Sequence, residues 1–183
     1  MASIVVYVDR VRLEEKRIVS SISEWASVRL ERLDGRIEWI TTRDKGGGAD
    51  GFDAAVVRPV SMYLAAYAAA IAEARGALTV NPSEAIIYSG DKLLAYARLA
   101  SRGVPVPLTG LLSSPPPAPG DLGLPRGEYV LKPPVGSWGR MVSRVNGLED
   151  LVLHARLRSR LPCAVQRFTI VQEYVEGGDS DYR

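Results

Sequence analysis

The 183-residue chain is predicted to be an α/β protein, with an open, mostly parallel sheet over residues 1–88 and a second unit over residues 89–183. Three observations carry this. Short apolar runs recur at residues 4–8, 54–57 and 78–80 without the alternation of a half-exposed strand. Helical stretches separate them, which is the pattern of parallel strands covered on both faces. The pattern then breaks at Ser89-Gly90-Asp91. Beyond the break, residues 129–132 and 141–145 flank a glycine loop as the two arms of a hairpin.

Taken in order, residues 4–8 form the first strand and end in Asp9-Arg10. A charged helix is expected over residues 13–26, with Leu13, Ile18, Ile22 and Trp25 turned inward at helical spacing. Residues 36–42 alternate like a strand, and residues 44–53, with Gly46-Gly47-Gly48, read as a loop. Residues 54–57 make a second buried strand that ends at Arg58-Pro59. The alanine-rich residues 61–75 form a strong helix stopped near Gly76. After the short strand 78–80, Asn81-Pro82-Ser83-Glu84 reads as an N-cap, a first-turn proline and an N3 glutamate. Ligands of such sheets bind beyond the C-terminal strand ends, which is where Asp9-Arg10 and Arg58-Pro59-Val60-Ser61 fall.

The next helix starts at Asp91, the expected N-cap, carries Leu93, Ala97 and Ala100 on one face, and closes at Gly103. Lys92 sits in its first turn, where a lysine opposes the helix dipole unless an anion is near. Residues 104–112 read as an extended strand and residues 113–120, SSPPPAPG, as a stiff surface loop. Tyr129-Val130-Leu131 then reads as a buried strand that delivers Lys132. Two prolines stop it, and a loop follows in which Gly136 and Gly139 permit positive φ, so that successive N–H groups can face an anion. Lys132 supplies a point charge and Arg140 a planar fork. A plain hairpin turn with an incidental lysine has the same spacing, because Gly-x-x-Gly is a weak signal by itself. Residues 148–158 read as a helix. Residues 168–175 read as a strand whose Gln172-Glu173-Tyr174-Val175 segment suits the edge of a purine, with a carboxylate for ribose hydroxyls.

Composition narrows the function classes. Hydrophobic residues make up 46% and charged residues 24%, an ordinary globular balance, and a net charge of +2 gives no footprint for nucleic acid or a membrane surface. Only four of the 23 basic residues are lysine (Lys16, Lys45, Lys92 and Lys132), so each lysine is a better candidate for a specific role. One cysteine, Cys163, excludes an internal disulfide, and one histidine, His154, excludes a His/Cys metal centre. The opening MASIVVYVDR lacks a basic n-region and reads as a strand. No apolar stretch is long enough to span a bilayer, so a cytoplasmic protein is expected.

The pieces, taken in order, resemble a family. Gly90-Asp91-Lys92, Val130-Leu131-Lys132-Pro133, the Gly-Ser-Trp-Gly-Arg loop, Val171-Gln172-Glu173-Tyr174-Val175 and Asp181-x-Arg183 follow the order of the ATP-grasp ligases. The likeness is to the LysX type, which serves amino-group-carrier-protein pathways of lysine and, in some cases, arginine biosynthesis. The Ser-Trp-Gly-Arg loop is the most specific element, since the related ribosomal-protein glutamate ligases carry a Gly-x-Gly-Ile type of loop. The opening VYVDRVRLEEK is also similar to the LysX start. The resemblance implies a pre-ATP-grasp domain over residues 1–88 followed by the first part of an ATP-grasp domain over residues 89–183. It implies ATP as cofactor, with Lys92 and Lys132 on its phosphates. Gly136, Ser137, Trp138, Gly139, Arg140, Met141 and Val142 would form the flexible loop over them. Gln172, Glu173, Tyr174, Val175 and Glu176 would line the adenine and ribose. Asp181 would belong to the far wall of the site, and Arg183 would be catalytic.

Two departures follow from the same resemblance. Where the family shows Gly-Arg-Asp-x-Arg, this chain has Asp179-Ser180-Asp181-Tyr182-Arg183. The chain also stops where the family continues into the subdomain that supplies its Mg²⁺ ligands, so no metal ligand is expected here. For these 183 residues alone, weak ATP binding and negligible turnover are expected. The implied reaction joins α-aminoadipate or glutamate, through its amine, to the C-terminal glutamate of a small acidic amino-group carrier protein by way of an acyl phosphate. The expected partners are ATP, the amino acid and the carrier, without nucleic acid or membrane, and homo-oligomer formation stays open. Another ATP-grasp glutamate ligase, or a non-catalytic nucleotide-binding remnant, remains an alternative.

Overall fold

The structure, a computed structural model, describes residues 1–35, 40, 51–125 and 127–177. It divides into two compact units, Met1–Ile87 and Tyr88–Arg183.

The first unit is a parallel sheet wrapped by helices. Its strands are β1 (Ser3–Val8), β2 (Ser27–Arg32), β3 (Ala54–Val57) and β4 (Leu78–Val80), in the order β2-β1-β3-β4. All three pairings are parallel. Helix α1 (Leu13–Ser23) covers one face, where Ile4, Val6 and Val8 pack against Ile22 and Ala26. Helix α2 (Met62–Ala74) covers the other, where Val5, Tyr7 and Ala55 meet Ala68 and Ala72. Burial on both faces is why β1 reads as an unbroken apolar run. The alanine stripe of α2 lets its backbone lie close to the strands, and Ser61 caps it by accepting a hydrogen bond from the Leu64 N–H.

Three expectations for this unit are corrected. Helix α1 ends at Ser23, and both Leu13 and Trp25 are 61% exposed, whereas Glu15 is fully buried. The outer strand β2 went unread, because its SVRLER sequence is charged and lies on a sheet edge. Helix α3 (Ser83–Gly90) starts one residue later than an Asn81 cap requires. Glu73 of α2 caps it instead, accepting the Ser83 N–H at 2.8 Å, the Ser83 hydroxyl at 2.6 Å and the Thr79 hydroxyl at 2.6 Å. Burial alone raises the Glu73 carboxyl, but the Ser83 and Thr79 bonds bring it below its ordinary value. Apart from Ile40 and residues 51–53, the expected strand 36–42 and loop 44–53 lie outside the described residues.

The second unit is an antiparallel sheet with one helix on its back. Its strands are β5 (Thr109–Leu112), β6 (Glu128–Lys132), β7 (Ser143–Asn146) and β8 (Thr169–Glu173), in the order β5-β8-β6-β7. Helix α5 (Leu148–Ser159) sets Leu151 and Val152 against Tyr129, Leu131, Val145 and Val171. Side chains alternate along a strand, so Val130, Lys132, Ile170 and Gln172 take the opposite face. Helix α4 (Lys92–Ala100) is capped by Asp91, which accepts from Leu93 N at 2.9 Å and Leu94 N at 3.1 Å. It closes at Gly103 (φ 74°), with the Val104 N–H returning to the Leu99 carbonyl. Leu93, Ala97 and Ala100 share a face as expected, but they line a groove of about 310 Å³ with Val106, Pro107 and Leu108. The strand expected over residues 104–112 is confined to its last four residues, and a short helix α6 (Ala164–Arg167) precedes β8 unforeseen.

Candidate functional site

The β6–β7 hairpin and the start of α4 are stitched together at backbone level. Lys92 N–H donates to the Pro134 carbonyl at 2.9 Å, and Asp91 forms an antiparallel bridge with Val135. This joins Lys92 to the first limb of the glycine loop, and its Nζ donates to the Gly136 carbonyl at 2.7 Å. Lys132 ends β6 on the face away from α5. Its Nζ donates to Gln172 Oε1 at 2.6 Å, Gln172 Nε2 donates to Thr109 Oγ1 at 2.8 Å, and the Thr109 hydroxyl donates to the Pro107 carbonyl at 2.7 Å. The Tyr96 ring lies 5.9 Å from the same ammonium. That relay fixes one lysine rotamer with neutral partners and, among the described residues, leaves its charge without an ion-pair partner.

The two lysines feel each other. Burial, and then the positive charge of Lys132, push the Lys92 ammonium below the ordinary lysine value, with Asp91 opposing the shift. Among the described residues neither lysine has a carboxylate within ion-pair distance. Two like charges held together without a counter-ion define a place that favours an anion.

The loop has the shape to complete it. Gly136 has φ 150° and Gly139 has φ 66°, conformations that a Cβ disfavours. Trp138 and Met141 also adopt left-handed backbone, at φ 62° and 61°. Two turns close the loop internally, Arg140 N–H to the Ser137 carbonyl and Val142 N–H to the Gly139 carbonyl. Among the described residues no hydrogen bond uses the N–H of Ser137, Trp138 or Gly139, so three successive donors are unspent. Trp138 is 91% exposed, and Ser137 and Arg140 are exposed beside it. Arg158 of α5 meets the loop from behind: its Nη2 donates to the Met141 carbonyl, while the residue is only 6% exposed and its Nη1 has no partner.

The strand expected to line a purine is more committed than its sequence implied. β8 lies between β5 and β6, and Gln172 spends its side chain on Lys132 and Thr109. Glu173 exchanges backbone and carboxylate bonds with Leu108, accepting the Leu108 N–H at 2.9 Å. Tyr174 N–H goes to the Glu128 carbonyl, and the Arg144 guanidinium stacks 3.7 Å from the Tyr174 ring centre. Among the described residues, backbone without a hydrogen bond therefore begins at Val175, followed by the exposed Glu176. Asp181 and Arg183 lie outside the described residues. Sequence reasoning passed over Thr109, Tyr96 and Arg158. The first two carry no charge signal, and a basic residue in the last turn of a helix reads as a solvated complement to the dipole.

The donor set fits the phosphate end of a nucleotide: two cations, a run of N–H groups and, among the described residues, no carboxylate within ion-pair distance of either lysine. It does not fit Mg²⁺. Among the described residues no three His, Cys, Asp or Glu side chains come together as a metal would require. Nor, among them, is any helix long and apolar enough to cross a membrane.

The chain is similar to known proteins along most of its length. The family model of the LysX preATP-grasp domain matches residues 4–87. The chain is 33% identical to the Glutamate--LysW ligase ArgX of Sulfurisphaera tokodaii over 180 residues, covering 98% of this chain and 62% of that protein. It is 26% identical to the Alpha-aminoadipate--LysW ligase LysX of the same organism, covering 96% and 61%. The chain thus spans about three-fifths of the length of these relatives. Its fold is shared with the RimK domain ATP-grasp protein of Sphaerobacter thermophilus, at a TM-score of 0.65 and 20% identity, covering 97% of this chain and 66% of the other. The parallel unit thus matches the LysX preATP-grasp domain family over residues 4–87, and along nearly its whole length the chain is similar in sequence to LysW ligases of the ArgX and LysX kind.

Proposed function

We propose that the chain carries the nucleotide-binding part of an ATP-dependent carboxylate–amine ligase that joins glutamate to a LysW-type carrier protein. The observation that carries the reading is the pair Lys92 and Lys132, neither with a described carboxylate within ion-pair distance, set beside one glycine loop that Lys92 contacts directly. Glutamate is favoured over α-aminoadipate as the amine because identity to ArgX is 33% and to LysX 26%. The cytoplasm is the setting that suits such a biosynthetic reaction.

When bound, ATP supplies the phosphoryl group that turns the carrier carboxylate into an acyl phosphate, from which the attacking amine displaces phosphate and loses a proton. The chain's own residues do the electrostatic work of that reaction. Lys132, held by Gln172, presents a fixed charge to the phosphates. Lys92 exchanges the Gly136 carbonyl for a phosphate oxygen, a stronger acceptor. The free N–H groups of residues 137–139 turn onto the same oxygens and keep water from them. Val175 and Glu176 offer the unpaired backbone and the carboxylate for the base and ribose. No described residue is assigned to Mg²⁺.

Calorimetric titration of the chain with ADP tests this. Lys132→Ala and Lys92→Ala are each expected to weaken binding by roughly 10- to 100-fold, the worth of a hydrogen bond to a charged group. Equal affinity in the wild type and both variants would place the nucleotide elsewhere and overturn the reading.

A further inference from the structure

We propose that Arg158 is a positioning residue for the glycine loop, holding its return limb from helix α5 through the Met141 carbonyl. The inference rests on reading that loop as the phosphate cover, and it adds a residue to which nothing in the sequence pattern assigns a role.

The first argument is the charge. Arg158 is 6% exposed on a helix whose other buried positions are Leu151, Val152 and Ala155. No described carboxylate pairs with it, and its Nη1 is buried without a hydrogen-bond partner. Burying an unpaired charge is costly, so packing alone is better served by leucine or methionine at this position. What an arginine adds is reach and donors, and the donor it uses goes to Met141.

The second argument is the backbone. Trp138 and Met141 hold left-handed conformations that non-glycine residues avoid and keep only where neighbours impose them. The two turns inside the loop are local and cannot impose a position on it from outside. Two outside contacts can: Lys92 on the Gly136 carbonyl and Arg158 on the Met141 carbonyl, one at each root of the loop. The tip between them, residues 137–140, carries the exposed Trp138 and the unspent N–H groups.

The two clamps differ in permanence. Lys92 faces Lys132 and leaves its carbonyl when an anion offers more charge. Arg158 holds a carbonyl from behind and has no anion competing for it among the described residues. Phosphate binding therefore frees the leading root while the trailing root stays fixed, and the tip turns about Met141.

The loop reports on itself through Trp138. In the full chain carrying Trp25→Phe and Trp39→Phe, Trp138 is the single remaining tryptophan of three. Its fluorescence anisotropy and quenching by acrylamide are then compared, without nucleotide, for Arg158, Arg158→Ala, Arg158→Gln and Arg158→Lys. Lower anisotropy and freer quenching are expected for alanine and glutamine, and a partial return for lysine, which keeps the charge and one usable donor. ADP affinity should fall about tenfold in Arg158→Ala, as expected for one hydrogen bond from a charged group. Trp138 behaviour unchanged in all three variants would overturn the proposal. So would loss of the far-UV circular dichroism in both neutral variants, which would make Arg158 a core residue. Because the Trp138 readout needs no nucleotide, failure of the parent chain to bind ADP would sink the functional reading and leave the clamp to be judged separately.

Discussion

Glu15 shows how much a single buried carboxylate can organise. It is fully buried at the start of α1, accepting Arg12 Nη2 at 2.6 Å, Arg12 Nε and N at 3.0 Å, and Arg58 Nε at 3.2 Å. The Arg12 guanidinium holds its carboxyl well below the usual 4.5, at about 2, against the opposing effect of burial. A depressed carboxylate stabilises the fold above its unfolded pKa, and that contribution is lost as pH falls. Glu15 therefore contributes fully above about pH 4.5 and progressively less down to pH 2. Both arginines are partly exposed, so solvent screening reduces the effect to about 2 kcal/mol. Urea unfolding as a function of pH should show Glu15→Gln less stable at pH 7 and with a shallower acid limb between pH 4.5 and 2. An acid limb of unchanged steepness would count against the assignment. Counting apolar positions cannot find such a residue, because a charge turned inward looks identical in sequence to one turned out. Arg158 was hidden for the same reason. Lys132 was legible because its strand, its prolines and its glycines are contiguous with it.

Among the elements, α4 and the β6–β7 hairpin matter most, since their junction sets both lysines. Asp91 holds the first turn of α4 by accepting two backbone N–H groups. Asp91→Ala should cost about 1 kcal/mol of stability, the usual worth of an N-cap. Hydrogen exchange localises the effect: faster exchange is expected at Leu93 and Leu94, and unchanged rates there would remove Asp91 from the cap. This cap, the strands β3 and β4 and the glycine stop of α4 could be read from sequence because each depends on neighbours within a few residues. The start of α3 could not, since its cap comes from Glu73, ten residues upstream of Ser83. Nor could β2, whose edge position leaves charged residues on a strand and masks the alternation. Local chemistry is legible, and pairing across the fold is not.

At the scale of the molecule, arginine carries nearly all the positive charge. Only four of 23 basic side chains are lysine, and two of those four stand at the glycine-loop end of the second unit. Arginine does not acylate under mild aqueous conditions, so the chain offers very few reactive amines. The one at position 92 has its proton affinity lowered by burial and by Lys132, and a deprotonated amine is the nucleophilic form. Treatment with an acetylating reagent near neutral pH, followed by peptide mass spectrometry, should therefore mark Lys92 ahead of the exposed Lys16, with ADP slowing the modification at 92 and not at 16. Equal labelling of both, unaffected by ADP, would be the contrary result. The same burial and neighbouring charge that lower the proton affinity of Lys92 thus also leave its amine open to covalent modification by activated acyl groups.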